Sequence, residues 1–128
     1  EVEFVNAVLQ EADCKLLLDV NNIYVNSINH QYDANAFLAA MPTERIEYLH
    51  IAGHYQEDID LVVDTHGADI IDPVWGLLQQ CYQLHGVHPT LLERDFNIPK
   101  TDILLNEINH IHQYQQQALR QQSLLRKA

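Results

Sequence analysis

Residues able to bind a metal or move a proton stand at the end of every short apolar run in the 128-residue chain. Asp19 closes "KLLLDV" and Asn22 follows three residues on; His50 and His54 lie in "YLHIAGH"; Asp64 and His66 follow "LVV"; Glu93, with Asp95 beyond it, ends "TLLERD". Carboxylates and imidazoles without a thiolate suit iron, manganese or zinc rather than copper(I) or a structural zinc finger. Three carboxylates, several able to bridge, would suit more than one divalent ion. In the D-x-H pair, residues i and i+2 of an extended segment share a face, so Asp64 and His66 read as joint ligands.

Each of these residues has a plainer reading when taken alone. Asp19 or Asp64 could cap a helix or form a turn, and His50 could be a hydrogen-bonded core histidine. Four successive strand ends carrying such residues are harder to obtain from capping, and the combination points to a metal site. The asparagine-dense "NNIYVNSINH" reads either as a turn-rich connection or as a substrate loop. In the second case Asn22 is a ligand, while Asn21, Asn26 and Tyr24 orient it or touch substrate. His30, in the loop "NSINHQYD", could cover the same rim. His85 and His88 flank the Gly86 helix stop, and His110 and His112 face different sides of a long helix.

The elements that must position these groups follow from the apolar pattern. Strands are expected at about 15–20, 46–52, 61–64 and 90–94, each a short apolar run of the kind buried on both faces. A helix starts the chain without a capping residue, "DANAFLAAM" forms a short helix, and Asp72 with Pro73 reads as the cap and first turn of a helix ending at Gly86. A long helix begins at Thr101, and its glutamine-rich end, residues 113–128, reads as a partly frayed tail. Strands alternating with helices predict a parallel α/β fold, whose strand carboxyl ends share one rim. That rim would gather three carboxylates, an amide and at least two imidazoles. With four glycines and no GxGxxG or GxxxxGK[ST], a phosphate-binding loop is disfavoured.

Eighteen acidic against seven basic residues give a formal charge of −11, which opposes binding to nucleic acid or an anionic membrane. No run of apolar residues reaches membrane-spanning length and the start lacks a secretory pattern, so a cytoplasmic location is expected. Cys14 and Cys81 are too distant for a CxxC motif and read as buried, reduced thiols.

The stretches "LLLDVNNIYVNSINH", "YLHIAGH", "DTHGADIIDPVWGLL" and "PTLLERDFNIP" together resemble the C-terminal half of the multinuclear non-heme iron-dependent oxidases, the family of the methanobactin-biosynthesis oxidase. The resemblance runs over residues 1–112. It implies the C-terminal half of a (β/α)8 barrel of the xylose-isomerase-like superfamily, its first four βα units missing, with two or three irons at the C-terminal rim. Carried over position by position, it implies the metal ligands Asp19, Asn22, His50, Asp64, His66 and Glu93, leaving His54 and Asn21 as catalytic candidates. It implies O2-driven oxidation of cysteine in a ribosomally made peptide, delivered by a small partner protein. Asn22 stands where the related endonuclease IV pattern has histidine, which argues against a nuclease. The competing reading is a hydrolase or sugar isomerase on the same barrel, using zinc or manganese. A lone half barrel would expose open sheet edges, so self-association or pairing with the missing half is expected.

Overall fold

The computed structural model describes residues 1–127. Its core is a three-stranded parallel sheet of β1 (Leu16–Asp19), β2 (Ile46–Ala52) and β5 (Thr90–Glu93), in the order β1-β2-β5. Helices α2 (Val20–His30) and α3 (Ala34–Ala39) connect β1 to β2, α4 (Asp72–His85) precedes β5, and α5 (Thr101–Lys127) follows it. Helix α1 (Val2–Glu11) leads into β1. This is the α/β arrangement of half a (β/α)8 barrel, and three of the expected strands lie in it at nearly the expected limits.

Alternation along the strands explains the layering. Leu18, Leu49 and Ile51 are buried and belong to the core shared with Val74, Leu77, Leu78, Cys81 and Tyr82 of α4. Their neighbours Leu17, Tyr48 and Leu91 point to the other side and are exposed, as period-2 side chains must. Asp19, His50 and Glu93 share that second face by the same parity. The helix-covered side carries most of the apolar burial, each fully buried Leu or Ile contributing about 1.5–3 kcal/mol.

The expected strand at 61–64 forms as β4 (Leu61–Val63), but outside the parallel sheet. It runs antiparallel to β3 (Tyr55–Asp58), an exposed strand that no apolar alternation signals. The side-chain amide of Asn29 occupies the other edge of β4, donating to the Val62 carbonyl and accepting from the Val62 N–H, both at 2.8 Å. This pair of bonds imitates a neighbouring strand and ties the hairpin to α2, so β5 pairs with β2 directly.

Two further expectations change. The asparagine-dense segment is a helix, because Val20, Ile23 and Val25 are buried along it and Asp19 caps it by accepting from the Asn22 N–H at 2.8 Å. Asp72 lies inside the first turn of α4, and the residue at the cap is Ile71, with no side-chain cap bond. Gly86 does end α4, with φ 89°, a region that favours glycine. Residues 113–127 form the C-terminal part of α5. No helix among the described residues is long and apolar enough to cross a membrane.

Candidate metal centre

Parallel register sets the first group. Asp19 faces His50 across β1–β2, and Glu93 sits one pleat further along β5, opposite Ala52. The three side chains converge: His50 Nδ1 is 2.9 Å from Glu93 Oε2 and 3.9 Å from Asp19 Oδ2. Asp19 divides its work, because Oδ1 caps α2 while Oδ2 turns toward His50. The cap and ligand readings of Asp19 are therefore compatible.

A second group shares Glu93. His66 Nδ1 lies 3.6 Å from Glu93 Oε2 and 3.3 Å from Asp95 Oδ2. Asp19, His50 and Glu93 form one set whose ligand atoms are close enough to hold an ion, and His66, Glu93 and Asp95 form another. Asp95 lies outside the ligand set that the resemblance implies; the signal in the sequence that points to it is its two-residue spacing from Glu93. At 57% exposure it is the most open member, against 27% for Glu93.

Asp64 and His66 do meet, with Nε2 2.9 Å from Asp64 Oδ1, but not by sharing a face of a strand. β4 ends at Val63, and His66 has φ 52°, in the left-handed region. The turn swings the imidazole back onto Asp64, a backbone state that non-glycine residues adopt mainly where surroundings hold it. Those surroundings are visible. Asp95 N–H donates to the His66 carbonyl at 2.9 Å, and Asn97 Nδ2 donates to the Gly67 carbonyl at 3.1 Å. A Cβ at Gly53 would overlap the carbonyl of Ala68, so only glycine lets the end of β2 approach this loop. Arg94, 6% exposed, pairs with Asp69 at 2.9 Å and Glu107 at 3.4 Å, joining the same loop to α5.

Two amides hold Asp64. Asn21 Nδ2 donates to Oδ1 at 2.6 Å and Asn22 Nδ2 to Oδ2 at 3.1 Å. Asn22 Oδ1 in turn accepts from Asn26 Nδ2 at 2.9 Å. Asn22 thus reaches the centre through Asp64, with its own oxygen engaged by Asn26. His54 stands behind Asn21, its Nδ1 2.8 Å from Asn21 Oδ1, and its ring stacks on half-buried Tyr24 at 5.2 Å. His30 is not brought to this cluster: it is the exposed last residue of α2, about 15 Å along the helix from Val20 at 1.5 Å per residue.

The electrostatics follow from burial and crowding. Burial pushes the Asp19 carboxyl above its ordinary value; the Asn22 N–H opposes this, the Asp64 charge adds to it, and His66 and His50 oppose it. Burial works against a charged His66, but the combined fields of Asp64, Glu93, Asp19 and Asp95 outweigh it and hold that imidazole above the usual histidine value. His54 moves the other way, lowered by burial against a smaller opposing pull from Asp64. A cluster of carboxylates that raises a neighbouring histidine's affinity for a proton also attracts a metal cation.

His66 Nε2 supplies a direct test of fit. It is buried and, despite its short distance to Asp64, has no aligned hydrogen-bond partner. Buried imidazole nitrogens normally have one. An imidazole nitrogen and carboxylate oxygens aimed at shared space, without thiolate, match the donor set of a divalent first-row metal ion.

Cys81 is buried as expected, but Cys14 is exposed just past α1.

Residues 1–116 match the family model described as RiPP precursor modification enzyme MbnB/TglH/ChrH, where RiPP denotes a ribosomally synthesised, post-translationally modified peptide. Among curated proteins, the chain is similar to a UPF0276 protein of Shewanella sediminis, 77% identical over 90% of this chain and 41% of that protein. A UPF0276 protein of Shewanella loihica is 76% identical over 93% of this chain and 43% of its own length. One from Pseudomonas aeruginosa is 56% identical over 92% and 42%, respectively. The chain spans about two-fifths of the length of these relatives.

Proposed function

The chain belongs to the RiPP precursor modification enzymes of the MbnB/TglH/ChrH family, and from that premise we propose that it forms part of an iron-dependent oxidase acting on cysteine in a ribosomally made peptide. Asp19, His50, Asp64, His66 and Glu93 are its metal ligands, with Asp95 added and Asn22 contributing through its bond to Asp64. The observation that carries the reading is Glu93, whose one carboxylate serves two groups of metal-capable side chains. A carboxylate so placed suits a centre with more than one ion.

Bound iron supplies the electron-accepting chemistry that O2-driven oxidation of a thiol requires. The residues of the chain do the positioning. Asn21 and Asn22 fix both oxygens of Asp64, Asp19 keeps one oxygen free of its capping bond, and the left-handed turn at His66 aims its imidazole inward. Asn26, bonded to Asn22, and Tyr24, stacked on His54, are the candidates on α2 for contact with the peptide.

The exposed apolar face of Leu17, Tyr48 and Leu91 continues from the ligand-bearing side of the sheet. In our reading it packs against the remaining barrel strands of the longer protein, which would supply further ligands. A small partner protein presents the peptide. A hydrolase or isomerase using zinc or manganese is the competing account.

The test uses the complete protein, purified without oxygen, loaded with ferrous iron and mixed with a cysteine-containing peptide encoded beside its gene. Consumption of O2 together with a mass change on the peptide supports the oxidase. Zinc as the resident metal, with no O2 uptake after iron loading, would reject it.

A further inference from the structure

We infer that His54 is a positioning residue for the metal centre, acting through the amide of Asn21 on the carboxylate of Asp64. The inference rests on reading Asp64 as a metal ligand and adds a residue that itself touches no member of either ligand group.

Asn21 is fully buried and His54 nearly so. The amide between them has one orientation that works. Asp64 is a carboxylate and accepts only, so the atom of Asn21 facing it at 2.6 Å must be the NH2 nitrogen. The oxygen of Asn21 then faces His54 Nδ1 at 2.8 Å, and that nitrogen must carry the proton. Rotating the amide by half a turn would set its oxygen against the carboxylate. His54 Nδ1–H and the Asp64 carboxylate therefore require the same orientation of Asn21, and His54 holds the amide in place from the side away from Asp64 Oδ1.

The imidazole is itself fixed. It stacks on Tyr24 with the rings 26° from parallel. It follows Gly53, where the end of β2 packs against the backbone of Ala68 in the loop that carries His66. A chain of contacts from Tyr24 through buried His54 and Asn21 to Asp64 thus joins α2, the end of β2 and the loop after β4. Outer partners of this kind orient ligands, and their removal typically costs about 10- to 100-fold in metal affinity.

The experiment titrates ferrous iron anaerobically into the metal-free complete protein and measures affinity and melting temperature. His54→Phe keeps the stacking ring but has no donor; His54→Gln restores an N–H. We expect His54→Phe to weaken iron binding by about 10-fold or more, His54→Gln to recover most of it, and His54→Phe with Asn21→Ser to be no weaker than the worse single variant. If His54→Phe does not fold, Asn21→Ser takes its place: affinity falls, and adding His54→Gln to it changes nothing further. Wild-type iron affinity in His54→Phe or Asn21→Ser, alongside loss in Asp64→Ala, overturns the inference while leaving the ligand reading intact. Wild-type affinity in Asp64→Ala overturns the ligand reading, and the inference falls with it.

Discussion

Glu93 Oε2 lies 2.9 Å from His50 Nδ1, although the register of β2 and β5 sets Glu93 opposite Ala52 and His50 opposite Leu91. The contact is diagonal, one pleat along the sheet, and it leaves the same oxygen 3.6 Å from His66 Nδ1. A glutamate can span this gap because its side chain is longer than an aspartate's. That reach makes Glu93 common to both groups of metal-capable side chains.

His66 is placed by the loop rather than placing it. Replacing it with alanine in the complete protein removes a buried nitrogen that has no aligned hydrogen-bond partner and that the proposed function gives to the metal, while the backbone bonds at His66 and Gly67 stay intact. We expect bound metal to fall sharply and stability without metal to change by less than about 1 kcal/mol. Metal analysis and thermal melting of the metal-free protein read the two effects separately; unchanged metal content would defeat the assignment.

Arg94 tests the scaffold beneath the site. Its side chain is 6% exposed and Glu107 is 12% exposed, so truncating Arg94 to alanine leaves a largely buried carboxylate unpaired. Breaking such a pair from one side costs about 3–5 kcal/mol. The loss should appear in denaturant melts of the complete protein. Arg94→Met combined with Glu107→Leu should recover part of it, because the uncompensated charge is gone. A single substitution within about 0.5 kcal/mol of wild type would contradict this account.

The two cysteines should differ in reactivity. Burial pushes the Cys81 thiol up to about 12, so almost none is thiolate near neutral pH, and it is sealed inside the core. Cys14 is exposed. Iodoacetamide should label Cys14 in this chain within minutes and Cys81 only after denaturant is added, as peptide mass mapping would report. Equal labelling of both in the native state would show that the α4 face is not packed as described.

Much of this was legible in the sequence, for identifiable reasons. β1, β2 and β5 are apolar runs ending in polar groups, and burial on the helix-covered face enforces that pattern. The helix after Asp19 was obscured because asparagine favours turns when considered alone; Val20, Ile23 and Val25, buried together, override that preference. β3 is exposed along its whole length and carries no alternation to read. Asp64 and His66 meet through the left-handed turn at His66, set by Gly53, Asp95 and Asn97 from elsewhere in the chain, and not through a shared strand face. Residue spacing cannot encode such long-range constraints. The exposure of Cys14 escaped for a similar cause, since it depends on where α1 ends relative to β1.

On the proposed function, the Glu93 carboxylate serves two ions. Metal content should be measured in the complete protein, purified without oxygen, as wild type, Glu93→Gln and Asp95→Asn. More than one ion per wild-type chain is expected, with loss from both groups in Glu93→Gln and retention of the ion held by Asp19 and His50 in Asp95→Asn. A Glu93→Gln protein with the full wild-type complement would contradict it.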